Sequence, residues 1–323
     1  MGNPFLSSIL TKTTTTPWLL LLILFLFSTH YHHYNPTFVV HGHGYLASPR
    51  SRNLLAYQET VWWPQTENDP EPETCPHCLN RGGSLGRCGV YLGGEGGVER
   101  NYDTPKNVLG GPMPTNIQAE YVQGQNIVLD VTLTAHHKGH FVFSACPISP
   151  PHNEIPTQEC FDQYKLTFVS DLLHNANYDP KYPERAYLAP VSDQENYVLD
   201  LGSTKGVIDY SFNMSLPKEL YGDVVLIQWY YLTANSCYHE GYQEYNWPSE
   251  WRMNDATSSG KCGTISPDGN GVPEQFWNCA EVRILQGANN NQVNNAPPPS
   301  APSMSTYCYW ATIAAAHYLH WAQ

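Results

Sequence analysis

Short strand-like segments separated by turn residues fill the central part of this 323-residue chain and constrain its fold more than any other feature. They are rich in β-branched, aliphatic and aromatic residues and are bounded by Gly, Pro, Asn or Asp, whereas no helical period is sustained. Several antiparallel strands joined by long loops predict an all-β fold, namely an immunoglobulin/fibronectin-like antiparallel β-sandwich with long disulfide-bearing loops. The clearest strand segments are residues 126–133, 141–146, 223–231 and 281–285.

An apolar leader precedes this region. Residues 18–27 are uninterrupted apolar sequence, which suits the central region of a signal peptide and is shorter than the roughly 20 residues of a membrane-spanning helix. Gly42 places a small residue immediately before His43, as signal peptidase prefers. We therefore predict that residues 1–42 are a leader and that the secreted protein begins at His43. Because residues 28–42 separate the apolar run from this cut, an earlier cut near Thr29 followed by trimming is the alternative.

The remaining chain divides by composition into three parts. Residues 43–286 are predicted to form one domain, and residues 287–303, rich in Asn, Pro and Ser, a flexible linker. The tail, residues 304–323, is moderately apolar and follows small residues, which is the pattern of a lipid-anchor signal, although its two histidines and polar end interrupt that pattern. The expected location is extracellular, with attachment to the cell surface if the tail is such a signal.

The cysteines are interpreted as disulfides because secretion places them in an oxidising compartment. The motif Cys-Pro-His-Cys at residues 75–78 would otherwise suggest a zinc knuckle or a redox pair. Residues 213–215 form a sequon that predicts glycosylation of Asn213. Eight cysteines precede the linker and can form four bridges of open connectivity: Cys75, Cys78, Cys88, Cys146, Cys160, Cys237, Cys262 and Cys279.

The charge of the chain excludes some partners. The formal net charge is −13 without a basic cluster, which disfavours nucleic acids and acidic membrane surfaces and favours a neutral or cationic polymer. The 22 Tyr and 9 Trp residues are compatible with stacking on sugar rings. Tyr57, Trp62 and Trp63 are candidates for such a substrate-binding face, and the alternative for the two tryptophans is inward packing against disulfides.

His43 has unusual metal-binding capacity if it is the first residue. A terminal histidine offers its α-amine and a ring nitrogen, and one further histidine completes a three-nitrogen site that suits Cu(II). Residues 136–140 contain three histidines between two strand segments, where loops display functional groups. His136, His137 and His140 are therefore all candidates for the second ligand.

Three motifs stand out along the chain. The first, His-Gly-x-x-x-x-Pro-x-Ser-Arg, starts at His43, and the second, Thr-Ala-x-His-x-Gly, starts at Thr134. The third, Phe-x-x-Cys-Ala-(Asp/Glu)-Val, starts at Phe276 and has Glu281 at its acidic position. Together they resemble the lytic polysaccharide monooxygenases, whose catalytic domain is also called the chitin-binding type-4 domain, and look more like the insect, algal and oomycete branch than the compact bacterial one. At position 136 this chain has a histidine where the family usually has Asn.

This resemblance implies one copper ion per chain, bound by His43 and His137, with Phe276 on the axial side. Glu274 and Gln275 become candidates for orienting an oxygen species beside the metal. It further implies an external reductant, O₂ or H₂O₂ as co-substrate, and an insoluble polysaccharide, chitin or cellulose, as substrate. We expect a monomer.

Two other classes of function share these features. A non-catalytic chitin- or glucan-binding protein would keep the fold, and a copper-carrying protein would keep the copper ligands. A glycoside hydrolase is disfavoured, because it needs paired carboxylates across a cleft and no such pair stands out. The sequence leaves open chitin against cellulose and the carbon that is oxidised.

Overall fold

Two β-sheets pack face to face in the computed structural model of the protein, which describes residues 44–59, 61–64, 87–91, 99–134, 136–149, 155–190, 208–251, 260–267 and 272–287. This arrangement confirms the predicted β-sandwich. Strands are numbered β1–β11 and helices α1–α2 in chain order. The elements are β1 (Gly44–Ser48), α1 (Arg52–Gln58), β2 (Val90–Tyr91), β3 (Arg100–Asn101), β4 (Ala119–Val122), β5 (Asn126–Leu133), β6 (His140–Pro147), α2 (Gln158–Gln163), β7 (Thr167–Asp171), β8 (Arg185–Tyr187), β9 (Ile208–Ser215), β10 (Gly222–Leu232) and β11 (Gln275–Leu285).

The first sheet has the strand order β1-β5-β9-β7 and the second has the order β4-β11-β10-β6-β8, while β2 and β3 form a separate pair. Pairing is antiparallel except between β11 and β4, which run parallel. Strand β5 alternates between exposed or half-buried and buried positions, as expected for a strand with one face on the core. Strands β6, β10 and β11 are buried almost continuously, because loops and helices cover their outer face.

Aromatic side chains fill the space between the sheets near the end where β6 begins. The ring of Phe141 lies 5.3 Å from that of Trp229 and 5.1 Å from that of Tyr231, both in edge-to-face geometry. Phe276 extends the group, with its centroid 5.9 Å from Tyr231. Such edge-to-face pairs stabilise the fold beyond the contribution that comes from burying the rings. The result is a closely packed aromatic layer beneath this end of the sandwich.

A second apolar cluster covers the outer face of the second sheet. It contains Trp62 and Trp63, whose side chains are 0% and 1% exposed, together with Cys88 and Cys279. The prediction that these tryptophans stack on sugars is therefore corrected, because buried rings offer no face to a polysaccharide. The alternative of inward packing beside a disulfide describes them. Tyr57, in contrast, is 53% exposed.

Three disulfides are formed among the described residues: Cys88–Cys279 joins a loop to β11, Cys146–Cys160 joins β6 to α2, and Cys237–Cys262 joins two loops. The described residues do not include Cys75, Cys78 or His43. They also do not include the predicted leader, the linker after Gly287 or the tail. Asn213 is half-buried on β9. Within the described residues, no helix has the length and apolar character needed to span a membrane.

Candidate metal centre

Several strand ends meet at one end of the sandwich. Gly44 at the start of β1 pairs with Leu133 at the end of β5. In the second sheet, Leu232 at the end of β10 pairs with His140 on one side and Gln275 on the other. The loop that carries His137 connects β5 to β6 and therefore lies at this end. The described chain begins at the same place, one peptide bond after His43.

The loop at residues 136–139 has a backbone shape fixed by its neighbours. Lys138 and Gly139 both adopt positive φ angles, 56° and 100°. A β-carbon at Gly139 would collide with the carbonyl oxygen of Leu232, so only glycine fits there. The backbone NH of Ala234 donates to the carbonyl of His137 over 2.9 Å. These contacts hold the loop against the end of β10.

Tyr231 anchors the same loop from below. Its hydroxyl accepts a hydrogen bond from the backbone NH of His137 over 2.8 Å and donates one to the carbonyl of Lys138 over 2.7 Å. The tyrosine ring is itself fixed in the aromatic core beside Phe276. One side chain therefore links the backbone of a predicted metal ligand to the rigid interior.

The ring of His137 is oriented through its Nδ1 atom. This atom lies 2.9 Å from Oε2 of Glu274 and 2.7 Å from the side-chain amide of Asn235. The proton of a neutral imidazole can lie on either nitrogen, and rotation of the Asn235 amide by 180° exchanges the donor facing Nδ1 for an acceptor. With the proton on Nδ1, the Nε2 atom keeps a lone pair, which is the form of histidine that binds a metal through Nε2.

The His137 ring lies close to solvent. The side chains of His137 and Glu274 are 16% and 20% exposed, which describes a shallow site at the surface. Phe276 is 2% exposed and presents an apolar ring on the inward face of β11. The structure thus brings three of the predicted residues, His137, Glu274 and Phe276, to one end of the sandwich.

Gln275 points away from that group, because successive residues of a strand face opposite sides. It accepts a short hydrogen bond from the hydroxyl of Tyr230 and donates from Nε2 to the carbonyl of Ser266 over 2.9 Å. Burial raises the pKa of Tyr230, so the phenol stays protonated and donates. Gln275 therefore belongs to the outer face of the second sheet, and Glu274 alone of the two contacts His137.

The neighbouring histidines are used in packing. His140 is 1% exposed, and its Nδ1 lies 2.6 Å from the hydroxyl of Tyr242. Burial lowers the pKa of His140 well below its ordinary value. His136 stacks on Tyr210, and burial, followed by the charge of His137, lowers its pKa to about 3. Of the three predicted candidates, His136, His137 and His140, His137 has its ring beside Glu274 and Asn235 near the surface.

Three residues at this end were not singled out by their local sequence. Tyr231 and Asn235 are brought to the His137 loop only by tertiary contacts. Asn278 in β11 hydrogen-bonds the backbone of β1. Among the described residues, no group of three His, Cys, Asp or Glu side chains is placed to hold a metal.

Comparison with known proteins identifies the family. Residues 43–282 match the family described as "Lytic polysaccharide mono-oxygenase, cellulose-degrading", and the match begins at His43. The chain therefore belongs to the lytic polysaccharide monooxygenases, a family of copper enzymes that cleave polysaccharides oxidatively. A similar solved structure is the lytic polysaccharide monooxygenase AA15 from Thermobia domestica in the Cu(I) state. It is 22% identical, the likeness covers 75% of this chain and 98% of that chain, and the TM-score is 0.39. No curated protein matches the chain.

Proposed function

We propose that the mature chain, beginning at His43, is a secreted copper-dependent monooxygenase that cleaves the glycosidic bonds of chitin, with cellulose as the alternative substrate. The observation that carries this proposal is the orientation of His137. Its Nδ1 faces Glu274 over 2.9 Å and Asn235 over 2.7 Å, and with the proton on Nδ1 its Nε2 can bind a metal at the end of the sandwich where β1 begins. Both the family membership and the position of β1 support His43 as its partner.

The donor set fits one copper ion. His43 would contribute its α-amine and a ring nitrogen and His137 its Nε2, a nitrogen set that suits Cu(II). The α-amine has an ordinary pKa of about 7.7–8.0, so its proton is displaced by a metal near neutral pH. When bound, copper supplies the redox chemistry that, with an external reductant and O₂ or H₂O₂, oxidises a C–H bond of the polysaccharide.

The protein's own residues prepare this site. Glu274 and Asn235 both lie beside Nδ1 of His137, which orients the plane of the ring. Phe276 places an apolar ring, without a donor atom, on the inward side and excludes water there. Tyr231 keeps the loop in place through its two hydrogen bonds.

The substrate is argued from charge and exposure. A chain with a formal net charge of −13 suits an uncharged polymer better than an acidic one. Of the three aromatic residues predicted to contact sugar, Tyr57 remains exposed and keeps that role in the proposal. We further propose that the protein is a monomer, that Asn213 is glycosylated, and that the tail after the linker decides between free secretion and surface attachment.

Direct tests start with the terminus. Intact mass and N-terminal sequencing of the secreted protein should give His43 as the first residue, with one copper per chain. Incubation with chitin and with cellulose should release oxidised oligosaccharides only when a reductant is added. The matched control is His137→Gln, which keeps a polar side chain but removes the imidazole.

Two outcomes would redirect the proposal. A mature chain that begins before His43 would remove the copper ligand set, unless it begins at His41, which would also give a terminal histidine. A copper-loaded protein that yields no oxidised product from either polymer would favour a non-catalytic chitin- or glucan-binding protein, or a copper-carrying protein.

A further inference from the structure

Among the described residues, strand β1 is an edge strand that pairs with another strand on one side only. It is the first strand of its sheet and pairs with β5. On its other side, the backbone NH of Leu46 donates to Oδ1 of Asn278 over 3.1 Å, and Nδ2 of Asn278 donates to the carbonyl of Gly44 over 3.4 Å. Asn278 lies on β11, in the opposite sheet. A side chain of one sheet therefore satisfies the open edge of the other.

The geometry of these two bonds is that of a neighbouring strand. In a parallel pair, a residue donates its NH to the residue before its partner and accepts from the residue after it. The carboxamide of Asn278 does the same around Tyr45, using the carbonyl of Gly44 and the NH of Leu46. It takes the place of one peptide group of a missing strand. A further contact on this edge is the NH of Ser51, which donates to the carbonyl of Leu46 over 3.1 Å.

The burial of Asn278 makes its bonding specific. The residue is 0% exposed, and a buried amide is destabilising unless its donor and acceptor are both used. A shift of β1 by one residue would turn its backbone groups and side chains to the wrong sides. The amide of Asn278 would then lose both partners. The hydrogen bonds of Asn278 therefore favour the observed register of β1 over one shifted by a residue.

We propose that Asn278 is a positioning residue for the copper site, an inference that rests on the proposed function. It sets the backbone at Gly44, and His43 is joined to Gly44 by one peptide bond. Phe276 lies two residues before Asn278 on the same face of β11. A single strand thus fixes the start of the chain relative to the axial aromatic ring. Asn278 acts through β1 and touches neither the metal nor the substrate.

The variants for the test are Asn278→Leu, which removes both hydrogen bonds at similar volume, and Asn278→Asp, which keeps an acceptor for Leu46 but loses the donor. Val282→Ala is the control, because Val282 faces the same core from the same strand at a greater distance from Gly44. Each mature protein is examined by amide hydrogen exchange at Leu46 without metal, by Cu(II) titration calorimetry, and by electron paramagnetic resonance of the Cu(II) form.

We expect both Asn278 variants to exchange the Leu46 amide faster and to bind Cu(II) about tenfold or more weakly, the lower range for lost outer contacts of a metal site. Their Cu(II) spectra should show broadened or shifted parallel features. Val282→Ala should match the wild type in all three readouts, although its unfolding midpoint falls. If Asn278→Leu does not fold, Asn278→Asp carries the test, because it preserves the size of the side chain.

Wild-type copper affinity and spectra in both Asn278 variants would overturn the inference and leave Asn278 a purely structural residue. Failure of the proposed function gives a different result, because the wild-type mature protein would then bind no copper through nitrogen ligands. That result would overturn both proposals together.

Discussion

Gly44 lies directly against Leu133, with no room between the two strands for a side chain. A β-carbon at position 44 would collide with the Leu133 side chain and approach the carbonyl oxygen of Thr132 to 2.7 Å. We expect Gly44→Ala to destabilise the fold by about 1–3 kcal/mol, the usual range for overpacking, and to weaken copper binding because the start of β1 must shift. Gly263→Ala is the control, since a β-carbon there has no atom within 4 Å. Equal thermal unfolding midpoints and copper affinities for the two variants would contradict this.

Tyr231→Phe tests the support of the His137 loop. The change removes the hydroxyl that bonds His137 and Lys138 but keeps the ring, so we expect a loss of about 1–3 kcal/mol together with weaker copper binding. Tyr245→Phe is the matched control, because its hydroxyl donates to the carbonyl of Asn177 over 2.7 Å in another loop. Urea denaturation and copper titration of both variants give the answer. A comparable loss of copper affinity in the control would show that the effect is not local.

Glu281→Gln tests the ion pair between Arg52, in the motif that starts at His43, and Glu281, in the motif that starts at Phe276. Glu281 Oε1 lies 2.8 Å from Nε of Arg52, and the two side chains are 2% and 0% exposed. Breaking a buried pair leaves an uncompensated charge, so we expect a loss of about 3–5 kcal/mol in the free energy of unfolding. Arg283→Gln removes an exposed pair with Glu120 and should cost about 1 kcal/mol or less. The prediction fails if the two losses, measured by urea denaturation, are alike.

Acid should destabilise the protein through two buried histidines, His140 and His239. Burial lowers the pKa of His239 from 6.5 to about 4 and that of His140 well below 6.5. The unfolded chain therefore binds protons at a higher pH than the folded chain. Stability should be full above pH 6.5, fall as pH decreases towards 4, and change little further from His239 below that. Urea denaturation of the metal-free protein between pH 7.5 and 4 measures this slope. His239→Gln should flatten it, and an unchanged slope would exclude His239 as a cause.

Tyr57→Ala and Trp63→Ala separate substrate contact from packing. Because Tyr57 is exposed, Tyr57→Ala should weaken binding of the protein to the polysaccharide and change the free energy of unfolding by no more than about 0.5 kcal/mol. Because Trp63 is buried, Trp63→Ala should instead lower the free energy of unfolding by about 3–5 kcal/mol. Pull-down on chitin and on cellulose, together with thermal unfolding, distinguishes the two effects. Normal binding by folded Tyr57→Ala would remove this residue from the proposed substrate surface.

The sequence predicted the sandwich because its central strands carry continuous apolar runs. The predicted segments 126–133 and 223–231 correspond to β5 and to β10, Gly222–Leu232. β9 was not singled out, although its burial alternates, because its mixture of Asp, Ser and Asn weakens the apolar pattern. Trp62 and Trp63 are buried in a cluster that contains the disulfide between Cys88 and Cys279, and these two cysteines are 191 residues apart in the sequence. Such distant contacts leave no local signal.

The site was predicted only in part, for a similar reason. A motif identified His137 and Phe276, and proximity in sequence suggested both Glu274 and Gln275. The strand alternation that turns Gln275 away depends on where β11 begins, which its residues do not define. The contact of Asn235 with His137 spans 98 positions, and that of Asn278 with Leu46 spans 232. Contacts of this kind become visible only when the two sheets are assembled.

Strand β11 carries two sets of residues in alternation, and this links metal binding to the quality of folding. Phe276 and Asn278 face the core, whereas Cys279 on the opposite face forms the disulfide with Cys88. A chain that pairs β11 out of register exchanges the two faces and loses the disulfide and the support of β1 at once. Under the proposed function, copper occupancy of the mature protein should consequently report the fraction that has folded correctly, so that metal content becomes a measure of folding during production.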